Sequence, residues 1–275
     1  MINLLFAGNE KVFDGVLLCL LSLISRQKEN NPLNVIMLTM DVTRIKPDYT
    51  PITEKQRGFL EKILKDENPE SKVTLKDVTS LYESEFRLCP NESAYCSPYT
   101  LIRLFADKIK EIPDKILYLD ADVMFNRDAR LLYDFDVSDF EYAAARDNYG
   151  RFLIRPDYIN AGVLLFNMKK CRETGIFEKA RKLIKTKKLV FADQSALIRS
   201  TTKKKLLSCR FNDQKFLFKK TVIRHFSKRL YYFPYPHTDN IKQWHVEKVH
   251  KVLKYRNFDD IYDKYFALKE QYDEK

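Results

Sequence analysis

The stretch KILYLDAD, residues 115–122, consists of a short apolar run followed at once by two carboxylates. Such a run is typical of a strand buried in a sheet. Proteins of the α/β class bind ligands beyond the carboxyl ends of their strands, which is where Asp120 and Asp122 would lie. Carboxylate oxygens there suit Mg²⁺ or Mn²⁺, with substrate phosphates completing the coordination shell. The pair is therefore a candidate metal site, with a capped turn as the alternative for so common a motif.

Apolar runs alternate with helical patterns on both sides of this stretch. Residues 2–7 and 35–38 are typical of strands, and the spacing of apolar residues in 16–24 predicts a helix between them. This alternation predicts an α/β fold with a largely parallel sheet. Further strands are predicted at 73–75, 141–145, 162–166 and 221–226, helices at 53–64 (capped by Thr53), at 99–105 and from Trp244 onward, and surface loops at 203–205 and 231–236.

The composition is that of a globular protein. Its 275 residues are 45% hydrophobic and 13% aromatic, which is enough for a substantial core. The first residues carry no basic leader and the run 16–24 is too short to span a bilayer, so no export signal or membrane anchor is expected. Five cysteines, none in a Cys-x-x-Cys unit, predict reduced thiols and no zinc site. We therefore expect a cytoplasmic protein.

The net charge of +11 is unevenly distributed. Residues 201–275 hold 18 Lys or Arg and 9 Asp or Glu, a net of +9, and most of the positive charge lies in 203–229 among Phe211, Phe216, Phe218 and Phe226. Basic residues beside apolar ones favour an anionic acceptor or peripheral contact with an anionic membrane, at the inner face of the cell membrane for a cytoplasmic protein. A solvated face is the alternative. No nucleic-acid-binding motif is present.

A phosphatase of the haloacid-dehalogenase type is a competing interpretation of the two aspartates. In such enzymes an Asp-x-Asp pair after a strand supplies a nucleophile and an acid. That pair follows the first strand, whereas Asp120 comes far along this chain. Met124 also stands where a Thr or Val is expected. Both departures favour a transferase.

Three ordered motifs together resemble glycosyltransferase family eight, which includes glycogenin and bacterial lipopolysaccharide galactosyl- and glucosyltransferases. They are KILYLDADV at 115–123, NAGVLLFNM at 160–168 and Asp193-Gln194. The resemblance covers roughly residues 1–245 and implies a GT-A catalytic domain over that range, followed by a helical tail at 246–275. The implied fold is a mixed, mostly parallel central sheet flanked by helices, with a basic helical appendage at the C-terminus.

The same resemblance implies the donor site. Asp120 and Asp122 match the family's metal ligands, and the residues around Ala121 face the ribose. Ala7 and Asn9 match positions that contact uridine and ribose, although the family usually has Asp where Asn9 stands. Arg103 matches an arginine that reaches the donor, with a surface ion pair as its structural alternative.

The sugar side of the site is implied in the same way. Asn160 and Gln194 match residues that line the donor sugar, and Gln194 would stabilise an oxocarbenium-like transition state. Asp193 and Asp147 would bind sugar hydroxyls. Their structural alternatives are a helix cap for Asp193 and a turn for Asp147. The family offers no clear carboxylate nucleophile, which favours attack by the acceptor on the face that UDP leaves.

The C-terminal end departs furthest from the family pattern, in which a His is the third metal ligand and a Lys binds the diphosphate. His225 is our choice of ligand because it ends an apolar run. His237 is the rival, five residues before Lys242, which matches the diphosphate-binding lysine.

Taken together with the motifs, the resemblance implies a retaining glycosyltransferase. It would move a hexose, galactose or glucose, from a UDP-sugar to a carbohydrate or glycolipid acceptor with Mn²⁺, or with Mg²⁺ in its place. The alternative is a protein without this activity, either an inactive nucleotide-sugar-binding module or a basic nucleic-acid-binding protein. Binding of the latter kind would fall steeply with salt and be indifferent to Asp120.

Overall fold

The strand predicted at 115–119 lies at the centre of a seven-stranded sheet in the computed structural model, which describes residues 1–92, 97–231, 233 and 235–274. The strands of the described chain are β1 (Ile2–Ala7), β2 (Leu33–Thr39), β3 (Lys72–Asp77), β4 (Lys115–Leu119), β5 (Val123–Phe125), β6 (Tyr142–Arg146), β7 (Ile159–Asn167), β8 (Lys204–Leu207), β9 (Ile223–His225), β10 (Arg229–Tyr231) and β11 (His237–Asp239).

Helices cover both faces of the sheet, as the sequence predicts. They are α1 (Phe13–Arg26), α2 (Glu54–Glu67), α3 (Thr79–Phe86), α4 (Arg130–Tyr133), α5 (Gly150–Leu153), α6 (Met168–Thr174), α7 (Ile176–Thr186), α8 (Ala192–Ser200), α9 (Val246–Lys251) and α10 (Asp259–Asp273), with 3₁₀ turns at Glu10–Val12, Pro98–Lys108 and Cys209–Phe211.

The sheet is mixed and mostly parallel, in the order β3-β2-β1-β4-β7-β6-β8. β1, β2, β3 and β4 run parallel, whereas β7 runs antiparallel to both β4 and β6. The carboxyl ends of β1 and β4 therefore share one edge with the amino end of β7. Asp120 and Asn160 meet at this edge although 40 residues separate them in the sequence. The predicted fold class is confirmed.

Strand β4 is buried on both faces, which explains its uninterrupted apolar sequence. Leu117 and Leu119 face the core beneath α1, and Ile116 and Tyr118 face the opposite core beneath Pro98–Lys108. The alternation follows from the two-residue period of a strand. The sheet thus fixes the position of residue 120 from both sides.

Three local predictions need correction. The helix expected at 99–105 is a series of 3₁₀ turns, Pro98–Lys108. Residues 204–207 form edge strand β8 and not a loop, because their backbone pairs with β6. The strand expected at 221–226 is the three-residue β9, and it pairs with β5 outside the main sheet. Two further predictions, for Cys96 and for parts of the 231–236 loop, concern positions outside the described residues.

The basic segment 203–229 is partly a core segment. Phe211, Phe226 and Arg224 are almost completely buried, so they belong to the interior and not to a charged face. The Arg224 guanidinium donates to the backbone carbonyls of Asp213 and His225. Only the exposed residues of this segment are available to a partner.

The tail from Trp244 onward is helical, as expected, and α10 packs against α1. The Arg26 guanidinium donates two hydrogen bonds of 2.8 Å to the Asp260 carboxylate, and the rings of Phe13 and Tyr272 lie 4.6 Å apart. Residues 246–275 contain seven Lys or Arg and seven Asp or Glu, so the positive charge lies before these two helices. The division into domains at residue 245 stays a prediction. Among the described helices, none has the length and apolarity needed to cross a membrane.

Helix α2 offers a test of how local sequence sets the fold. The Thr53 hydroxyl accepts the Gln56 N–H at 3.2 Å, and the Gln56 side chain accepts the Thr53 N–H at 3.0 Å, forming a capping box. We expect Thr53→Ala to lower the free energy of unfolding by about 1 kcal/mol, measured by urea titration. Thr53→Ser keeps the hydroxyl and should stay near the parent; an equal loss in both variants would contradict a capping role.

Candidate active site

A cleft opens at the edge where β1 and β4 end, and it brings together seven of the residues chosen from the sequence. Its volume is about 220 Å³. Asp120 and Asp122 line the bottom of the cleft. Residues at the carboxyl end of β1 and in the segment before α9 line its sides. The chosen residues that line it are Ala7, Asn9, Arg103, Asp120, Ala121, Asp122 and Lys242, joined by Gly8, Val12, Ser97, Tyr99, Thr100, Tyr118 and Trp244.

Asp120, Asp122 and His225 form a cluster that could hold a metal ion. Their ligand atoms lie within 4.8 Å of one another. The His225 Nε2 atom is 3.0 Å from Asp122 Oδ1 and 4.0 Å from Asp120 Oδ2. Two carboxylates and one imidazole on one side of a cation leave its other positions to phosphate oxygens and water. This donor set fits a divalent cation bound together with a nucleotide.

The pairing of β5 with β9 brings His225 to the aspartates. Val123 lies opposite His225 in this antiparallel pair, and the Phe226 N–H donates to the Asp122 carbonyl at 2.8 Å. Gly162 leaves the space that the imidazole fills, since a Cβ there would stand 2.4 Å from His225 Cε1 and 2.9 Å from Asp120 Oδ2. A larger residue at 162 would therefore displace the cluster.

Asn212 holds the imidazole in one orientation. Its Oδ1 atom lies 2.9 Å from His225 Nδ1, so that nitrogen donates to the amide oxygen and Nε2 is left facing the aspartates. The Asn212 amide in turn donates to Asn160 Oδ1 at 2.9 Å, and Asn160 donates to Asp147 Oδ2 at 2.9 Å. One chain of hydrogen bonds thus runs from the metal cluster to two residues chosen for the sugar.

Arg103 lies behind Asp120 and is buried, which excludes a surface ion pair. Each of its guanidinium nitrogens contacts a protein oxygen, including Asp120 Oδ1 at 3.0 Å from Nη2 and Asp193 Oδ2 at 3.3 Å from Nε. Tyr118 adds a hydrogen bond to the same Asp120 oxygen at 2.8 Å. Burial raises the pKa of Asp193, even though Arg103 favours its charged form. Asp120 is therefore held by two donors while its other oxygen faces His225.

Asp122, the second carboxylate of the cluster, contacts Lys242 and His225. The Lys242 ammonium donates to Asp122 Oδ2, while Asp122 Oδ1 faces His225. Burial alone would raise the pKa of Asp122, but the Lys242 ammonium and the His225 imidazole hold it well below its usual range. The carboxylate is thus ionised and ready to bind a cation at neutral pH.

Residues chosen for the sugar lie deeper, at the amino end of β7. Gln194 is buried in α8 and its Oε1 accepts the Ala161 N–H at 2.9 Å. Asp147 Oδ1 accepts the N–H groups of Tyr149 and Gly150, so it caps the turn into α5 as the structural alternative predicted. His237 lies in β11, and the cluster found in the described chain contains His225 in its place.

Sequence reasoning missed Asn212, Tyr118 and Gln243. The Gln243 amide donates to the Ala121 carbonyl at 2.7 Å and so fixes the turn between the two aspartates. Tyr118 stood inside the quoted strand and could have been found, because its side chain shares a face with Asp120. Asn212 and Gln243 follow no periodic pattern, and only long-range pairing brings them to the site.

The model of the family described as glycosyl transferase family 8 matches residues 3–231. The chain belongs to glycosyl transferase family 8. The match includes Asp120, Asp122 and His225, and it confirms the family that the motifs at 115–123 and 160–168 resembled.

Two curated relatives carry glycosyltransferase names. A putative glycosyltransferase of Haemophilus influenzae is 29% identical over 133 residues, which is 41% of this chain and 40% of the relative. The glycosyltransferase GlyA of Streptococcus pneumoniae serotype 4 is 36% identical over 94 residues, 31% of this chain and 13% of the relative. The family 8 chain thus aligns with less than half of the length of either relative.

Solved structures show the same fold. An active-site mutant of LgtC matches with a TM-score of 0.67 at 18% identity, covering 98% of this chain and 96% of that one. The galactosyltransferase LgtC in complex with donor and acceptor sugar analogs matches with a TM-score of 0.62 at 19% identity, covering 97% and 95%. GlyE of Streptococcus pneumoniae matches with a TM-score of 0.60 at 22% identity, covering 82% and 55%. The GT-A fold predicted from the family resemblance is confirmed.

The space beside Gly162 gives a prediction for the metal cluster. In Gly162→Ala the new Cβ collides with the His225 ring and the Asp120 carboxylate, so we expect affinity for a divalent cation to fall at least tenfold, measured by calorimetric titration. Gly58→Ala is the matched control, because nothing lies within 4 Å of a Cβ at that helical position. Undiminished cation binding by Gly162→Ala would show that the cluster does not form the site.

Proposed function

We propose that this protein is a retaining, Mn²⁺-dependent glycosyltransferase that moves a hexose from a UDP-sugar to a carbohydrate or glycolipid acceptor. The observation that carries the proposal is the cluster of Asp120, Asp122 and His225, whose two aspartates line a cleft together with Lys242. Two carboxylates, an imidazole and an ammonium at one point suit a diphosphate bound through a cation. The similar fold of the galactosyltransferase LgtC, whose structure holds donor and acceptor sugar analogs, supports the same chemistry.

The ligand set favours Mn²⁺ over Mg²⁺. Mg²⁺ prefers oxygen ligands alone, whereas imidazole is a good ligand for the transition metals. A cation held by Asp120, Asp122 and His225 would neutralise the negative charge that develops on UDP as the glycosidic bond breaks. Asn212 supports the imidazole from the side opposite the cation, as metal-binding histidines generally require.

The nucleotide would lie along the carboxyl end of β1. Ala7 and Asn9 line the cleft there, next to Ala121 between the two aspartates. Lys242 currently pairs with Asp122, and its ammonium would shift to a diphosphate oxygen when a cation occupies the carboxylate. We propose that Arg103 acts by positioning Asp120 and Asp193, since its nitrogens already contact protein oxygens.

The hexose would lie toward the amino end of β7, beside Asn160 and Gln194. The contacts of the nearby carboxylates support attack by the acceptor on the face that UDP leaves. Asp147 is engaged through both oxygens, and Asp193 is buried against Arg103. Neither carboxylate is presented to the cleft as a nucleophile. The Gln194 side chain would stabilise the oxocarbenium-like transition state, and Asp147 and Asp193 would orient the groups that contact sugar hydroxyls.

Galactose and glucose are the donor sugars we favour. They differ in the orientation of one hydroxyl, and a site that pairs a buried polar group with that hydroxyl discriminates strongly between them. Asn160 lies at the amino end of β7, where the sugar is expected, and Asp147 orients it through a hydrogen bond of 2.9 Å. We therefore propose that Asn160, positioned by Asp147, decides which hexose is accepted.

Loss of a metal ligand should abolish turnover. With Mn²⁺ present, we expect one member of a UDP-sugar panel to give UDP release and a thermal shift with the parent protein. Asp120→Asn should lower that release at least a hundredfold, because the cluster loses an anionic ligand.

Asp139→Asn provides the matched control, since its carboxylate is exposed and far from the cleft. It should leave UDP release unchanged. Retained turnover in Asp120→Asn with an intact fold would refute the proposal, as would the absence of Mn²⁺-dependent UDP release with every sugar tested.

Replacing each of the two histidines in turn tests which of them is the third metal ligand. We expect His225→Ala to weaken Mn²⁺ binding at least tenfold and His237→Ala to leave it unchanged, because only His225 lies beside the aspartates among the described residues. Mn²⁺ affinity can be measured from the electron paramagnetic resonance signal of the free ion. The reverse result would assign the ligand to His237.

A further inference from the structure

Exposed apolar side chains are concentrated on one part of the surface. Of the large apolar residues that the described chain exposes, more than half fall in the segments 152–154, 216–218 and 230–235. Phe152, Leu153 and Phe233 are 74%, 81% and 87% exposed. Soluble monomers seldom leave several such side chains together in water, and patches of this kind mark interaction sites.

The three segments meet in space although up to 80 residues separate them in the chain. Phe152, Phe216, Leu230 and Phe233 line a single groove. The rings of Phe216 and Phe218 lie 5.3 Å apart, and the Leu230 N–H donates to the Tyr149 hydroxyl at 3.2 Å. We call this surface the aromatic–basic patch, defined by Phe152, Leu153, Phe216, Phe218, Leu230 and Phe233 with Arg151, Lys215, Lys219, Lys220 and Arg229.

Among the described residues, no carboxylate pairs with the cations of the patch. The Arg151 guanidinium lies 4.5 Å from the centre of the Phe152 ring, and the Lys215 ammonium lies 5.3 Å from that of Phe216. Within the described chain, no carboxylate oxygen forms an ion pair with either of them or with Arg229. Their positive charge is therefore available to an anionic surface, and the neighbouring Phe152 and Phe216 rings are 74% and 48% exposed.

The patch borders the candidate active site. Asp147 accepts the N–H groups of Tyr149 and Gly150 and so fixes the start of α5, which carries Phe152 and Leu153. A second groove, lined by Arg146, Arg151 and Lys215, reaches Asn212, the residue bonded to His225. A surface that binds the patch would therefore lie beside the end of the cleft proposed for the sugar.

We propose that the aromatic–basic patch docks onto a bilayer containing anionic lipid, with its apolar side chains in the interface and its cations on the headgroups. The mixture of aliphatic and aromatic side chains with unpaired Lys and Arg is the composition that interfacial membrane binding requires. The neutral tail 246–275 lacks that charge. Docking in this orientation presents the site to an acceptor anchored in the membrane. Presentation to an acceptor rests on the proposed function, whereas docking onto the bilayer does not.

Flotation with lipid vesicles tests the docking. Vesicles of phosphatidylcholine with about 30% phosphatidylglycerol should carry the full chain upward in a density gradient at low salt, and vesicles of phosphatidylcholine alone should not. Raising the salt concentration to about 0.5 M should release the protein, because counter-ions screen exposed charges. Phe152→Ser with Phe233→Ser, and separately Lys215→Gln with Lys219→Gln and Lys220→Gln, should each reduce the bound fraction at least fivefold.

Matched controls change the same chemistry elsewhere. Phe266→Ser removes an exposed ring from α10, and Lys182→Gln with Lys187→Gln and Lys188→Gln removes three exposed charges from the segment at the end of α7. Both should float like the parent. Loss of flotation in Phe266→Ser with retention in the patch variants would assign docking to the tail and overturn the proposal. Equal binding to neutral vesicles, or none to anionic ones, would also overturn it.

Activity separates this proposal from the proposed function. UDP release in the absence of vesicles should be the same in the patch variants and in the parent, because the substituted side chains lie outside the cleft. A chain that floats but releases no UDP would refute the proposed function and keep the docking surface. A chain that releases UDP but does not float would refute the docking surface and keep the proposed function.

Discussion

The pairing of β5 with β9 is the constraint on which the candidate site depends. Three residues of each strand place Val123 opposite His225, and the Asp122 carbonyl receives the Phe226 N–H at 2.8 Å. This ladder lies outside the seven-stranded sheet, yet it decides where the imidazole stands. Without it, the two aspartates would be an acidic turn at the end of a strand. With it, they join His225 in a cluster that could hold a metal ion.

Charge balance is the second constraint on the site. Two carboxylates near the protein interior are costly unless cations or donors accompany them. Arg103 and Tyr118 contact Asp120, and Lys242 and His225 contact Asp122. A bound divalent ion would supply charge of the same sign as the Lys242 ammonium and, in the proposed function, would take its place beside Asp122. The freed Lys242 would then meet the phosphate that arrives with it.

Features of the fold and the site that follow from local sequence could be predicted, whereas those set by contacts between distant residues could not. The central strand, the aspartates after it and the capped helix α2 follow from local patterns, and the structure agrees with each. His225 needed the resemblance to a family, because a three-residue strand carries no periodic signal. Asn212 was not found at all, since its role comes from contact with a residue 13 positions later. The lysines at 203–205 suggested a loop, but backbone pairing with β6 made an edge strand of most of that segment.

The separation of Val123 from its partner His225 has a consequence for biosynthesis. The parallel strands β1 to β4 end at residue 119, whereas the imidazole, Lys242 and the Gln243 side chain bonded to Ala121 come more than 100 residues later. A ribosome that has just passed residue 122 has therefore delivered both aspartates without the groups that complete their environment. The nascent chain can begin to assemble these four strands well before Asp120, Asp122 and His225 can come together, so formation of that cluster would follow formation of the strands during translation.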